Sequence, residues 1–360
     1  MSERDWQTIS YGCDRWLSNR IPRTASTILR AAADALAGDA RPDRYGEGGV
    51  VAEFEGWMRT MLGTQAAVLM PSGTMAQQIA LRIHCDRRGT DTVAWHETCH
   101  LALHEHDAAA HLHGLKAEGI GHRDRLLTLA DLEALRGRIG ALLLELPQRE
   151  IGGRLPEWDD LAAQVAWARE REIAVHLDGA RIWEAAPYYG RPHAELAGLF
   201  DTVYVSLYKA LGGFAGSVLA GPADIIAEAR VWRHRHGGTL AGLFPLAAAA
   251  LTGLAEIVPR MPDYWAHARA LAGALAAVPG IAVVPDPPQT PLFHLHLAVE
   301  RDTLWDRALG LAAREGVWLF GPPEATAVPG VTRVEINVGE PALAIDPGEA
   351  AALFTALVTG

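Results

Sequence analysis

"IAVHLDGARIW", residues 173–183, reads as a short apolar strand that stops on Asp178-Gly179 and runs into a helix. In open α/β folds, ligands bind beyond the carboxyl ends of the strands. Asp178 is therefore either a helix cap or a buried carboxylate that needs a cationic partner. "VYVSLYKALGG" (203–213) repeats the pattern, with Lys209 just past the strand end and Gly212-Gly213 after it. "VLMPSGTMAQQIAL" (68–81) is a third case: strand, the turn Pro71-Ser72-Gly73-Thr74, then an amphipathic helix.

Further short runs fill the interval between these stretches. "AAVLM" (66–70), "TVAW" (92–95), "ALLLEL" (141–146), "IAVHL" (173–177), "VYVSL" (203–207) and "SVLAG" (217–221) are candidate strands. Helical segments such as "TMAQQIALRIHCDRR" and "WDDLAAQVAWARERE" lie between several of them. Alternation of this kind predicts an α/β fold, a mostly parallel sheet sandwiched by helices. "SVLAG" follows its predecessor too closely for a crossover helix, which leaves room for an antiparallel member. From about 251 the style changes to a smaller C-terminal α+β domain. The expected organisation is an N-terminal segment (1–45) packing with that small domain, a large α/β domain (46–250) and the small domain itself (251–360).

A formal charge of −11 over 360 residues argues against a nucleic-acid or anionic-membrane binder, because both need positive faces. Three cysteines fit neither a disulfide framework nor a metal spacing, the N-terminus lacks a signal-peptide pattern, and no apolar run reaches membrane length. A cytoplasmic protein is expected. Of 32 basic residues only Lys116 and Lys209 are lysines. Arginine replaces lysine wherever charge alone matters but cannot serve as an amine nucleophile. Lys209 is thus either a loop lysine or an amine kept for chemistry.

Taken together, the three strand ends offer an anion cradle at a helix N-terminus, a carboxylate and an amine able to form a Schiff base. Pyridoxal 5′-phosphate demands this set: donors for its phosphate, an amine for its aldehyde, and a carboxylate that keeps its ring nitrogen protonated.

The chain resembles the L-threonine aldolases of the aspartate-aminotransferase-like, fold type I pyridoxal-phosphate enzymes, within the β-eliminating lyase/threonine aldolase group. The resemblance rests on "RYGEGGVVAEFE", "MPSGTMAQQIAL", "HETCHLALHE", "LPQREIGGRLP", "HLDGARIW", "SLYKALGG" and "TRVEINVG". It implies that Lys209 carries the coenzyme, that Asp178 pairs with its ring nitrogen, and that His100 stacks on the ring. Ser72, Gly73 and Thr74 would lie at the phosphate. Arg181 would sit near coenzyme and substrate, and Arg333 would grip the substrate carboxylate. The implied reaction cleaves a β-hydroxy-α-amino acid to glycine and an aldehyde, with His100 as candidate base. A β-eliminating lyase or a transaldolase is the alternative. A homo-oligomer, dimer or tetramer, is implied as well, with Arg233 and His234 as candidates for a neighbouring subunit's phosphate.

The sequence also departs from the family. Tyr45-Gly46-Glu47-Gly48-Gly49 stands where the family has Y-G-E-D-P, and Tyr208 precedes the lysine in place of a small hydroxylic residue. "ELPQREIGG" offers no second substrate-contacting histidine. These changes fall on side-chain recognition rather than on coenzyme chemistry. His96-Glu97-Thr98-Cys99-His100 is a literal H-E-x-x-H, the zinc-hydrolase signature. That motif needs one continuous helix, whereas "DTVAW" reads as a strand running into it, so no metal site is expected.

Overall fold

All six apolar runs form strands, and a seventh joins them. β1 (Ala66–Met70), β2 (Thr92–His96), β3 (Lys116–Ile120), β4 (Ala141–Glu145), β5 (Ala174–Asp178), β6 (Thr202–Ser206) and β7 (Ser217–Gly221) make one sheet in the order β1-β7-β6-β5-β4-β2-β3. β7 is antiparallel to both neighbours, and the pairs β6–β5, β5–β4, β4–β2 and β2–β3 are parallel. The unforeseen strand, "KAEGI", lies at the edge. Its lysine is exposed, its glutamate half-buried and only Ile120 is buried, so it lacks an apolar signal, as edge strands commonly do.

The computed structural model describes residues 3–360, which fold as two compact units. The larger comprises Ala25–Glu150 and Leu155–Pro259. The smaller comprises the chain up to Thr24, Ile151–Arg154 and Arg260–Gly360.

Within the larger unit the helix Gly73–Arg88 organises the core. Ser72 caps it by accepting from the Met75 N–H at 3.3 Å, and Gly89 ends it at φ 60°. Ala76, Ile79, Ala80 and Ile83 pack on Val68, Met70 and Leu219, while Leu81 and Cys85 pack on Val93, Trp95 and Leu143. Truncating fully buried Ile79 or Ile83 to alanine would cost about 2–5 kcal/mol each. Farther along, "LFPLAAAALTGLAEIVPRM" is helical but not uniformly so. An α-helix (Phe244–Thr252) passes into a π turn (Gly253–Ile257) and a 3-10 turn (Val258–Arg260). A Cβ on Gly253 would lie 2.0 Å from the Leu211 carbonyl oxygen, so this position tolerates no side chain.

In the smaller unit, Glu324–Ala325, Thr332–Asn337, Leu292–Leu297 and Ile281–Val284 form an antiparallel sheet in that order. Thr332, Val334 and Ile336 are buried, and the alternating Arg333, Glu335 and Asn337 are half-buried on the other face. The N-terminal segment joins this unit through Arg15–Trp16, which pairs in parallel with Val317–Trp318. An indole cluster reinforces the join, with Trp16 and Trp6 centred 5.5 and 6.0 Å from Trp318. Among the described residues, no helix is long and apolar enough to cross a membrane.

Candidate active site

The parallel strands share one carboxyl edge, and the chemistry-bearing residues gather there. Asp178 ends β5 and Glu145 ends β4. Lys209 follows β6 by three residues, Ser72 and Gly73 follow β1, and His100 opens the short helix His100–His104 after β2. His100, Glu145, Arg149, Asp178, Arg181 and Lys209 line one pocket.

Asp178 is 1% exposed, so its charge is held by neighbours rather than by water. Its Oδ2 accepts from Gln77 Nε2 at 3.0 Å and its Oδ1 from the Ala180 N–H at 3.1 Å. The helix-cap alternative is thus partly realised, since Ala180 N–H sits at the turn, but burial adds what a cap does not require. The Lys209 amine is half-buried. Desolvation depresses its pKa, the Arg181 guanidinium adds to that, and the carboxylates of Asp178 and Glu145 oppose it. A depressed ammonium gives up its proton more readily, which a nucleophilic amine requires.

His100 is lowered to about 4, first by burial and then by the Lys209 charge. Its backbone N–H donates to Glu145 Oε2 at 3.0 Å, and the Arg149 N–H donates to Glu145 Oε1 at 3.1 Å. Burial, then the Asp178 charge, pushes the Glu145 carboxyl up to about 8. Glu145 escaped the sequence reading, although a carboxylate ending an apolar strand is the same signal that marked Asp178.

At the third corner, the first N–H groups of helix Gly73–Arg88 lack intrahelical acceptors, as every helix start does. A Cβ on Gly73 would lie 2.3 Å from the Tyr204 hydroxyl, so only glycine lets the helix start approach β6 this closely. The Ser72 hydroxyl accepts the Met75 N–H as its cap, which leaves its O–H as a donor. Glu105, the buried carboxyl after His104, accepts from Gln78 Nε2 at 3.1 Å and also takes the Thr74 hydroxyl, tying the helix start to the His100 helix.

These residues fit a ligand that offers an aldehyde, a protonatable ring nitrogen and an anionic group. A family model described as beta-eliminating lyase matches residues 17–298.

The chain belongs to the β-eliminating lyase family.

Among its relatives, this lyase is 32% identical to the low specificity L-threonine aldolase of Escherichia coli O157:H7, over 68% of its own length and 74% of that protein's. It is 29% identical to low-specificity L-threonine aldolase 1 of Arabidopsis thaliana, over 74% and 76% of the two chains. Among solved structures, a Listeria monocytogenes EGD-E protein assigned as an L-allo-threonine aldolase superposes with a TM-score of 0.93, at 35% identity and 99% coverage of both chains.

The H-E-x-x-H of this lyase is split by its fold. His96 ends β2, Glu97–Cys99 turn, and the helix begins only at His100. His96 Nε2 donates to the carbonyls of His122 and Arg125, both at 3.0 Å, and its Nδ1 accepts from the Thr98 N–H at 3.1 Å and the Thr98 hydroxyl at 2.9 Å. Both ring nitrogens are spent on the chain itself.

Two other residues singled out in the sequence are placed by the fold. Arg233, the candidate for a neighbouring subunit's phosphate, makes contacts in its own chain. Its guanidinium is buried and donates to the carbonyls of Leu69 at 2.9 Å and Tyr45 at 3.5 Å in its own chain. Arg333 belongs to the smaller unit, where it is ion-paired with Glu324 on the neighbouring strand and stands opposite His296.

Proposed function

We propose that this lyase is a pyridoxal-phosphate-dependent aldolase that cleaves a threonine-like β-hydroxy-α-amino acid to glycine and an aldehyde. The observation that carries the reading is a depressed amine, Lys209, sharing a pocket with the buried carboxylate Asp178 and the imidazole His100. Bound there, the coenzyme supplies an electron sink through its protonated ring nitrogen.

The chain's own residues do the rest. Lys209 holds the coenzyme's aldehyde carbon. Asp178 keeps the proton on the ring nitrogen, and the N–H groups of Gly73 and Thr74 hold the phosphate. Arg181 adds positive charge beside the substrate. His100 is unprotonated at neutral pH, so its lone pair can take the β-hydroxyl proton as the Cα–Cβ bond breaks. Names of relatives favour aldol cleavage over elimination.

The test is borohydride reduction of the protein loaded with coenzyme, followed by peptide mapping, together with product analysis on L-threonine. An adduct on Lys209 with glycine and acetaldehyde supports the reading. A keto acid with ammonia makes the protein an eliminating lyase, and an adduct elsewhere overturns the site. A homo-oligomer acting in the cytoplasm is part of the same proposal. Light scattering of the purified protein measures the association.

A further inference from the structure

His100 poses a problem that its neighbours solve. An imidazole held this far down can accept a proton in passing but cannot keep it, so turnover needs a next acceptor. One helical turn on, the His104 ring is centred 5.1 Å from the His100 ring and tilted by 40°, within reach of a single bridging water. His104 Nε2 lies 3.0 Å from Glu150 Oε1, and its side chain is 40% exposed while that of Glu150 is 13% exposed. Arg149 Nη1 holds the same Glu150 oxygen at 2.9 Å, fixing the carboxylate. An imidazole oriented by a held carboxylate, with its other nitrogen free to exchange, is the arrangement that orients a general base in hydrolytic triads.

We propose that the His104–Glu150 pair is the proton outlet of the active site, carrying the β-hydroxyl proton from His100 to solvent. The inference rests on the aldolase reading above. His100 receives the proton on one ring nitrogen and releases one from the other. His104 accepts that proton at Nδ1 and passes it to water, with Nε2–H held on Glu150 throughout. No bond other than N–H and O–H changes, and no oxidant or co-reactant is needed. The charged and titratable groups around this path are Lys209, Asp178, Glu145, Arg181 and Arg149 at the His100 end, and Glu150 with Arg149 at the His104 end. His104 lines the same pocket as Lys209, and the relay assigns it a positioning and proton-passing role through His100.

The experiment uses the coenzyme-loaded full chain and follows glycine release from L-threonine across pH in the wild type, H104F, H104A and E150Q. H104F keeps the ring and removes both nitrogens. It should lower kcat about 10- to 100-fold with KM within twofold, E150Q should lower it less, and added imidazole should restore H104A in proportion to its free-base concentration. The coenzyme absorption band and its dependence on pH should be unchanged in all three variants. Exchange of the glycine α-proton with deuterated water, which involves no β-hydroxyl, should stay within twofold. Retained kcat in H104F, an H104A that imidazole does not rescue, or an altered band would overturn the relay. A wild type that releases no glycine would sink the aldolase reading itself.

Discussion

Asp178→Asn should separate folding from chemistry. In the wild type, Oδ2 accepts from Gln77 Nε2 at 3.0 Å and Oδ1 from the Ala180 N–H at 3.1 Å, while the buried Gln77 Oε1 has no partner. In the variant, the asparagine oxygen still accepts from Ala180. Its new NH2 group meets the Gln77 amide donor to donor. A flip of that amide presents Oε1 to the new donor, so the number of hydrogen bonds is conserved. Stability should therefore move by no more than about 1 kcal/mol, a melting shift of roughly 2 °C. The charge is another matter. Leaving one partner of a buried ion pair uncompensated costs about 3–5 kcal/mol, and at about 1.36 kcal/mol per decade this predicts kcat lower by about 10²- to 5 × 10³-fold. The assays are glycine release at saturating substrate and a thermal melt of the same sample. A variant with kcat within tenfold of wild type would refute the role of the carboxylate. A variant that melts 10 °C lower would refute the hydrogen-bond account.

The remaining predictions concern separate parts of the molecule. Lys209→Ala should show no coenzyme band near the visible and no borohydride adduct, because Lys116, ion-paired with Asp91 at 2.8 Å and largely exposed, cannot stand in; mass spectrometry of the reduced protein checks this. Asp43→Ala should destabilise the fold by about 3 kcal/mol in urea, since buried Asp43 accepts from the N–H groups of Gly46 at 2.7 Å, Leu243 at 2.8 Å and Phe244 at 2.8 Å. Acid should unfold the protein early. Buried His84 and His176, which share the Thr202 hydroxyl at 2.8 Å each, are both driven down to about 3, chiefly by desolvation. With folded values below the unfolded 6.5, their contribution is whole above about pH 6.5 and is lost as pH falls toward 3, about 2 kcal/mol each by pH 5. His84→Gln should remove about half of that loss, as measured by urea titrations at pH 7.5 and 5.

Much of this was legible because the fold writes its site into the ends of apolar runs. Asp178 and Lys209 stand out since each breaks a strand of Val, Leu and Tyr at the point where the sheet ends, and strand–helix alternation already implied a common edge. β3 was not legible, because an edge strand can carry Lys116, Glu118 and Gly119 and still pair through its backbone. The Glu145 carboxylate was present in the same signal and was passed over. His104 and Glu150 were beyond reach for another reason: they are 46 residues apart, and only the turn Arg149–Ile151 after β4 carries one to the other.

The scarcity of lysine has a practical corollary. Lys116 begins β3, and since β2, β3 and β4 run parallel, it sits at the amino edge of the sheet, across from the carboxyl edge where the pocket opens. Acylating reagents aimed at lysine therefore meet one open side chain, distant from catalysis, and one sheltered amine that the coenzyme would mask. A dye, tether or solid support coupled through Lys116 would hold every molecule by the same handle, with the mouth of the pocket turned away from the point of attachment.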